Sequence, residues 1–365
     1  MTEQTLPLDA MHRALGARMV PFAGYAMPVQ FAGVMPEHLH TRSHASLFDV
    51  SHMGQVIVRG DGVAAALERA IPANLVGLAA GRQRYGLLTA EDGGVIDDLM
   101  AANRGDHWLV VVNGACKHGD LAHLRGLLPE LSFDMVEDRA LLALQGPQAE
   151  AALAALVPGA AAMRFMDVAD HDWDGAALWI ARAGYTGEDG YEISVPVAAA
   201  EALARALLSD DRVAPAGLGA RDSLRMEAGL PLYGQDLSVE MSPVEAGQGW
   251  AVPKVRRRGG DRAGGFPGAE RILRELEDGA PRRRVGLRPE GRAPMREGTP
   301  LFAAEDAASP VGTVTSGGFG PTVGGPIAMG VVDAAAPDRL WGEVRGRRLP
   351  ATVADLPFVA PRYRR

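Results

Sequence analysis

The chain has 365 residues, 47% hydrophobic and 22% charged, which sets it among globular rather than disordered sequences and gives it length for two or three domains. Its 37 Lys+Arg against 45 Asp+Glu leave a formal charge of −8, which excludes a general nucleic-acid binder. A single cysteine, Cys116, excludes an internal disulfide framework or a Cys-rich metal site; with no basic, apolar leader at the start and no apolar run of about 18 residues, the expected setting is cytoplasmic, off the membrane.

In chain order, Asp61 as N-cap and Pro72 as stop predict a helix with Val63, Leu67 and Ala70 on one face. Residues 108–112 (WLVVV) read as a strand that turns through Asn113 and Gly114 into an amphipathic helix ending near Leu128. Pro147 and Pro196 open helices reaching Leu156 and Leu208, and further helices are predicted over 218–228 and 269–276. After Pro281 the texture changes to short strands at 285–287, 311–314, 328–332 and 340–344, separated by Gly/Pro turns, which predicts a small β-barrel or sandwich. The expected organisation is α+β: a region over 1–265 made of two interleaved α+β subdomains, a helical connector over 266–280, and a β domain over 281–365.

General catalytic signatures are mostly missing. There is no phosphate-cradling P-loop and no G-x-S-x-G elbow, and the glycines of 184–190 and 317–320 read as turns. His38, His40, His44 and His52 crowd one stretch, but without H-E-x-x-H they read as structural or cleft-lining rather than metal-binding. Cys116 has Lys117 and His118 beside it, which would lower a thiol pKa, yet a buried, inert cysteine is the simpler reading. Asp97 and Asp98 are more informative, because two acids inside the apolar strand GGVIDDLM need partners or shifted pKa values. Alternation groups Asp98 with Ile96 and Met100, and Asp97 with Val95, Leu99 and Ala101; it does not say which acid enters a cleft. Arg221 and Arg225, one helical turn apart with Glu227 nearby, form either an anion clamp or an internal ion-pair network, the second being the default.

Several segments together resemble one family. Residues 22–31 (FAGYAMPVQF), 47–54 (LFDVSHMG) and 93–99 (GGVIDDL), then 184–192 (GYTGEDGYE), 219–229 (GARDSLRMEAG), 232–236 (LYGQD), 312–317 (GTVTSG) and 357–359 (PFV), are similar in kind and order to the glycine-cleavage T-proteins, which are aminomethyltransferases. The resemblance spans residues 7–363. It implies a three-domain cloverleaf, with two α+β domains around a central folate-filled channel and a C-terminal small β-barrel. It also implies transfer of a one-carbon unit from the lipoyl arm of a carrier, the H-protein, to tetrahydrofolate, with no metal. Residue by residue, the resemblance makes Asp98 the carboxylate near folate N10; Met53, Tyr85, Val111 and Asn113 channel-lining positions; Glu192 the acceptor of pterin ring donors; Arg221 the guanidinium on the folate; and Tyr185 and Tyr363 tyrosines near the same ligand. Ala102, where relatives carry bulkier residues, implies a looser channel wall. The basic stretches Lys254–Arg258 and Arg282–Arg284 become candidates for steering the carrier or the folate tail, with Arg262 joining them. A tetrahydrofolate-dependent N- or O-demethylase and a non-catalytic folate-binding protein are the alternatives on the same architecture.

Overall fold

The computed structural model describes residues 3–365. The chain opens with a small sheet of β1 (Gln4–Thr5), β2 (Arg18–Phe22) and β3 (Tyr25–Gln30), ordered β1-β3-β2, with α1 (Asp9–Ala14) between the first two strands. Helix α2 (Val34–Ser43) leads into β4 (Ala45–Asp49). The chain then builds a second sheet from β5 (Gly54–Arg59), β6 (Arg82–Thr89), β7 (Val95–Asn103), β8 (Trp108–Val112) and β9 (Ser132–Met135), ordered β6-β7-β8-β5-β9, with α3 (Val63–Leu67) and α4 (Lys117–Leu127) in its connections.

It then returns to β4. Strands β10 (Arg139–Gln145), β11 (Val168–Trp173), β12 (Ala176–Ala181), β13 (Gly190–Pro196) and β14 (Val213–Pro215) join β4 in a six-stranded sheet ordered β11-β12-β13-β10-β4-β14, carrying α5 (Ala149–Leu156) and α6 (Val197–Leu208). Helix α7 (Leu218–Glu227), a long irregular segment and α8 (Ala269–Asp278) follow. The end of the chain is a closed barrel of β15 (Arg282–Pro289), β16 (Pro300–Phe302), β17 (Gly312–Gly320), β18 (Gly325–Asp333), β19 (Arg339–Val344) and β20 (Arg347–Ala354). The architecture is thus mixed α+β with a C-terminal β-barrel, which decides between the barrel and the sandwich that the texture after Pro281 left open.

Each of the two large sheets buries one face under its own helices. Leu142, Leu144, Ile180, Ile193 and Val195 pack against Leu153, Leu203 and Leu207, while Val56, Val58, Leu99 and Val110 pack against Leu67 and Leu124. The remaining faces meet each other. Ala102 and Leu109 of one sheet pack with Val168 and, less deeply, Trp179 and Ala181 of the other. Phe48, Leu141 and Ala143 pack on Ala216, Ala220 and Leu224, with Met53 and Val111 against them. A strand buried on both faces cannot alternate cleanly between apolar and polar residues, which is why β10 reads as a continuous apolar run.

Some local expectations change. The helix after Asp61 shrinks to α3 and takes Gly62, in the left-handed region at φ 63°, as its N-cap instead of Asp61. Two barrel strands, β16 and β20, escape the pattern because one is three residues long and the other carries Arg347, Arg348 and Pro350. Ala102 is not a channel wall: it is 3% exposed, inside the packing between the sheets. Much of the basic run is internal as well. Arg256 is buried and donates to Oε2 of Glu68 at 2.9 Å, Arg262 donates to the same carboxylate at 2.9 Å, and Arg257 binds the carbonyls of Val252 and Gly249. Arg282 is held by Glu245 at 2.8 Å, so these guanidiniums tie segments together and leave little charge for steering a partner.

Candidate functional site

The site lies where the free faces of the two sheets, α7, the segment after α7 and the first barrel strand converge. Register places Tyr85 opposite Met100 and Met100 opposite Val111, while period-two alternation puts Asp98 and Asn113 on the same face. Across from them, Glu192 pairs with Ala143 of β10, which pairs in turn with Phe48, so Glu192 projects from the facing sheet. Met53, Tyr85, Asp98, Val111, Asn113, Tyr185, Glu192 and Arg221 are all partly accessible although the surrounding protein is dense, the signature of side chains that line an interior cleft.

The chain enters this region by a close approach. The backbone N–H of Val95 donates to the carbonyls of Ser238 and Met241 at 3.1 and 2.9 Å, and a Cβ on Gly94 would run into the carbonyl of Val239. Hence the glycine that precedes the acidic strand. The pattern then resolves the choice between the two acids. Asp97 is fully buried on the helix-covered face, accepting from the backbone N–H of Asn113 at 3.2 Å and from its Nδ2 at 2.8 Å. Asp98 faces the cleft, where Tyr85 Oη donates to its Oδ2 at 3.0 Å and Asn113 Nδ2 to its Oδ1 at 2.8 Å. Burial, and next the charge of Asp97, push the Asp98 carboxyl up to about 7, so near neutral pH it is poised to hold or release a proton. The same surroundings push the Tyr85 phenol well above its ordinary value, chiefly by burial.

The two arginines of α7 have different jobs. Arg225 is internal, bonded to Asp236 at 2.7 Å and to Ser316 of the barrel at 2.8 Å. Arg221 lies over the ring of Tyr185, 4.7 Å from Cζ to centroid, and its buried Nη1 has no partner. Burial lowers its pKa and the charge of Glu192 acts against that; burial in turn raises the Glu192 carboxyl, opposed by Arg221. An unpartnered guanidinium nitrogen beside a desolvated carboxylate is a recognition pair for a ligand with both acceptors and donors. Tyr185 donates its own hydroxyl to the carbonyl of Pro231.

Tyr363 stands apart from these residues. It stacks on Phe165 at 4.2 Å with rings 10° from parallel, and the charged groups acting on it are Arg42, Glu188 and Arg365. Cys116 caps α4; burial, followed by Asp97 and Asp120, pushes its thiol up to about 12, the reverse of an activated nucleophile. Among the clustered histidines, His40 and His44 stack on each other, and His38 is buried against Ser223 and Glu227. His52 is driven down to about 4, first by burial and then by Arg221, and is neutral near pH 7.

Sequence reading missed three contributors. Trp250, 62% exposed, stacks on Tyr85 at 5.2 Å, and nothing in its short turn signals this. Arg284 of β15 carries the barrel's charge to Tyr85 and Tyr185 and leaves Nε without a partner, where a basic run suggested surface. Asp120 is buried beside Asp97, and only its place on the inner face of α4 hinted at this. A separate cavity of about 400 Å³ beside α3, lined in part by Arg59, Leu75 and His107, shares no residue with the site.

The family model described as GCVT N-terminal domain matches residues 8–256, and that of the glycine cleavage T-protein C-terminal barrel domain matches residues 282–360. The chain belongs to the T-protein family of aminomethyltransferases. The aminomethyltransferase of Rubrobacter xylanophilus is 42% identical over 100% of this chain and 95% of its own length. The mitochondrial aminomethyltransferase of Gallus gallus is 43% identical over 98% of this chain and 93% of its own length. Among solved structures, the glycine cleavage system aminomethyltransferase T of Bartonella henselae superposes with a TM-score of 0.93 at 42% identity, covering 100% of both chains. No helix among the described residues is long and apolar enough to cross a membrane.

Proposed function

We propose that the chain transfers the methylene carbon of an aminomethyl-dihydrolipoyl H-protein to tetrahydrofolate, giving 5,10-methylenetetrahydrofolate, ammonia and the dihydrolipoyl H-protein. The carbon exchanges one bond to sulfur and one to nitrogen for bonds to N5 and N10 of the folate. The protons leaving N5 and N10 end on the thiol and on ammonia, so the sum is balanced.

The observation that carries this reading is Asp98: a cleft-facing carboxyl, held from two sides by Tyr85 and Asn113, with its pKa pushed up to about 7. Such a group accepts the N10–H, orients it, and balances the positive charge that builds while the carbon moves between nitrogen centres. Glu192, opposite, suits the paired N–H groups of an aminopyrimidinone edge, and the free Nη1 of Arg221 suits an acceptor on the same ligand. Met53, Tyr85, Val111, Asn113 and Tyr185 supply the flat, polarisable lining that a pteridine and its aminobenzoate need. Tyr363, stacked on Phe165, would approach the same ligand from the C-terminal tail.

The test is a reconstituted assay with lipoylated H-protein, the glycine decarboxylase component, glycine and tetrahydrofolate, reading ammonia and methylenetetrahydrofolate together. Stoichiometric release of both supports the proposal. Turnover only with a free methylated amine or ether overturns it in favour of a demethylase.

A further inference from the structure

Behind Asp98 lies a second carboxyl contact that the transfer reaction as written does not use. Asp120, on the inner face of α4 and 1% exposed, meets the side chain of Asp97, 0% exposed, oxygen to oxygen. The donors to Asp97 and Asp98 are Tyr85 and Asn113, and among the described residues no Lys, Arg or His forms an ion pair with Asp97, Asp98 or Asp120. Two buried carboxylates in contact without a cation cannot both be ionised, so one proton lies between them. The hydrogen bonds say on which side. Asp97 already accepts two N–H groups of Asn113, which favours its anion, whereas Oδ2 of Asp120 has no donor directed at it. Asp120 is therefore the acid, and Asp97 the acceptor.

The amide nitrogen of Asn113 has two hydrogens, and both are spent: one on Asp97 Oδ1 at 2.8 Å and one on Asp98, where Oδ1 at 2.8 Å is nearer than the backbone carbonyl at 3.2 Å. We infer that Asp120 is a positioning residue for Asp98: its carboxyl hydrogen, donated to Asp97, keeps Asp97 an acceptor for Asn113, whose remaining amide hydrogen orients Asp98. The role rests on the proposed function of Asp98, but the shared proton does not. Burial first, then the contact with Asp97, hold the Asp120 carboxyl up to about 9, in line with its carrying the proton at neutral pH. The other titratable groups facing the cluster are Cys116 at the cap of α4, Tyr85 on β6, and Tyr233 and Tyr185 from outside the sheet; all four have raised pKa values and are neutral there.

The test pairs Asp120→Asn, which keeps a donor towards Asp97, with Asp120→Leu, which keeps the volume and supplies none. Without a donor Asp97 takes a proton itself, its charge no longer acts on Asp98, and Asp98 ionises at lower pH. In the glycine-dependent assay Asp120→Asn is expected within about twofold of wild type with an unmoved pH profile, while Asp120→Leu loses about tenfold in kcat and its acidic limb shifts down by about one pH unit. Infrared difference spectra at pH 8 of Asp98→Asn against Asp98→Asn/Asp120→Asn are expected to lose one protonated-carboxyl stretch. A persisting stretch, an unmoved limb in Asp120→Leu, or equal behaviour of the two single variants overturns the inference. Loss of the stretch in a protein with no glycine-dependent turnover overturns the proposed function alone.

Discussion

Tyr85 and Asp98 are diagonal neighbours across the β6–β7 ladder, and the phenol donates to the carboxylate at 3.0 Å with the indole of Trp250 stacked on its other side. The hydroxyl stabilises the ionised form of Asp98, against burial and the charge of Asp97, which oppose it. Tyr85→Phe removes that donor. The acidic limb of the kcat/KM profile is expected to move up by about half to one pH unit, with the plateau rate reduced about tenfold or less. An unmoved limb would show that the phenol does not act on Asp98.

Asp98 itself carries opposite predictions for rate and for stability. Asp98→Asn is expected to lower turnover by about a thousandfold or more, while a reduced folate still binds by calorimetry. Its folded pKa is raised to about 7. Between the ordinary aspartate range and pH 7 the native state therefore holds a proton the unfolded chain has released, so stability falls as pH rises through that window. The variant should melt higher than wild type at pH 8 and alike near pH 4. If Asp97→Asn abolishes turnover and Asp98→Asn does not, the assignment of the cleft-facing acid is wrong.

Arg221 and Arg225 separate recognition from structure within one helix. Arg221 Nη1 is buried without a partner, so Arg221→Met strands no hydrogen-bonding group there, and Glu192, losing the charge that opposes its burial, can take up a proton. Melting temperature should hold or rise while reduced-folate affinity falls about 10- to 100-fold. Arg225→Met, which strands Asp236, should instead unfold the protein at lower temperature. Unchanged folate affinity in Arg221→Met would remove Arg221 from the site.

A buried network joins α2, α7 and the barrel. Glu227 receives Arg42 Nη2 at 2.9 Å, His38 Nε2 at 3.1 Å and the backbone N–H of Thr322 at 2.8 Å, and Arg42 also binds Glu188 at 2.9 Å. Burial pushes Glu227 upward, but His38, Thr322 and Arg42 together hold it down to about 2. Its stabilisation is therefore complete above the ordinary glutamate range and is lost as pH falls through about 2. Arg42→Met takes the shared guanidinium away from two buried carboxylates, Glu227 and Glu188, and should cost about 3–5 kcal/mol in denaturant unfolding. A loss under 1 kcal/mol would mean that water or a rearranged side chain takes over the role of Arg42.

Local chemistry was enough for much of this protein. The prolines before α5 and α6, the β-branched run of β8 and the Gly/Pro turns after Pro281 are short-range signals, and they marked helices, strands and the barrel without reference to anything distant. Alternation likewise sorted Asp97 and Asp98 onto opposite faces. It was silent on which face is a cleft, because that depends on where α4 and the second sheet lie, and those are set by packing between residues far apart in the chain. The same limit applies to Arg256, Arg284 and Asp120. A charged side chain looks solvated in sequence, and only the arrival of Glu68, of the barrel against the cleft, and of Asp97 turned these three into an internal ion pair, a cleft-side cation and a buried carboxyl with a raised pKa. Short-range preferences settle which segments are helix or strand; the charge state and exposure of an ionisable group depend on its neighbours in space, and for those only the folded arrangement decides.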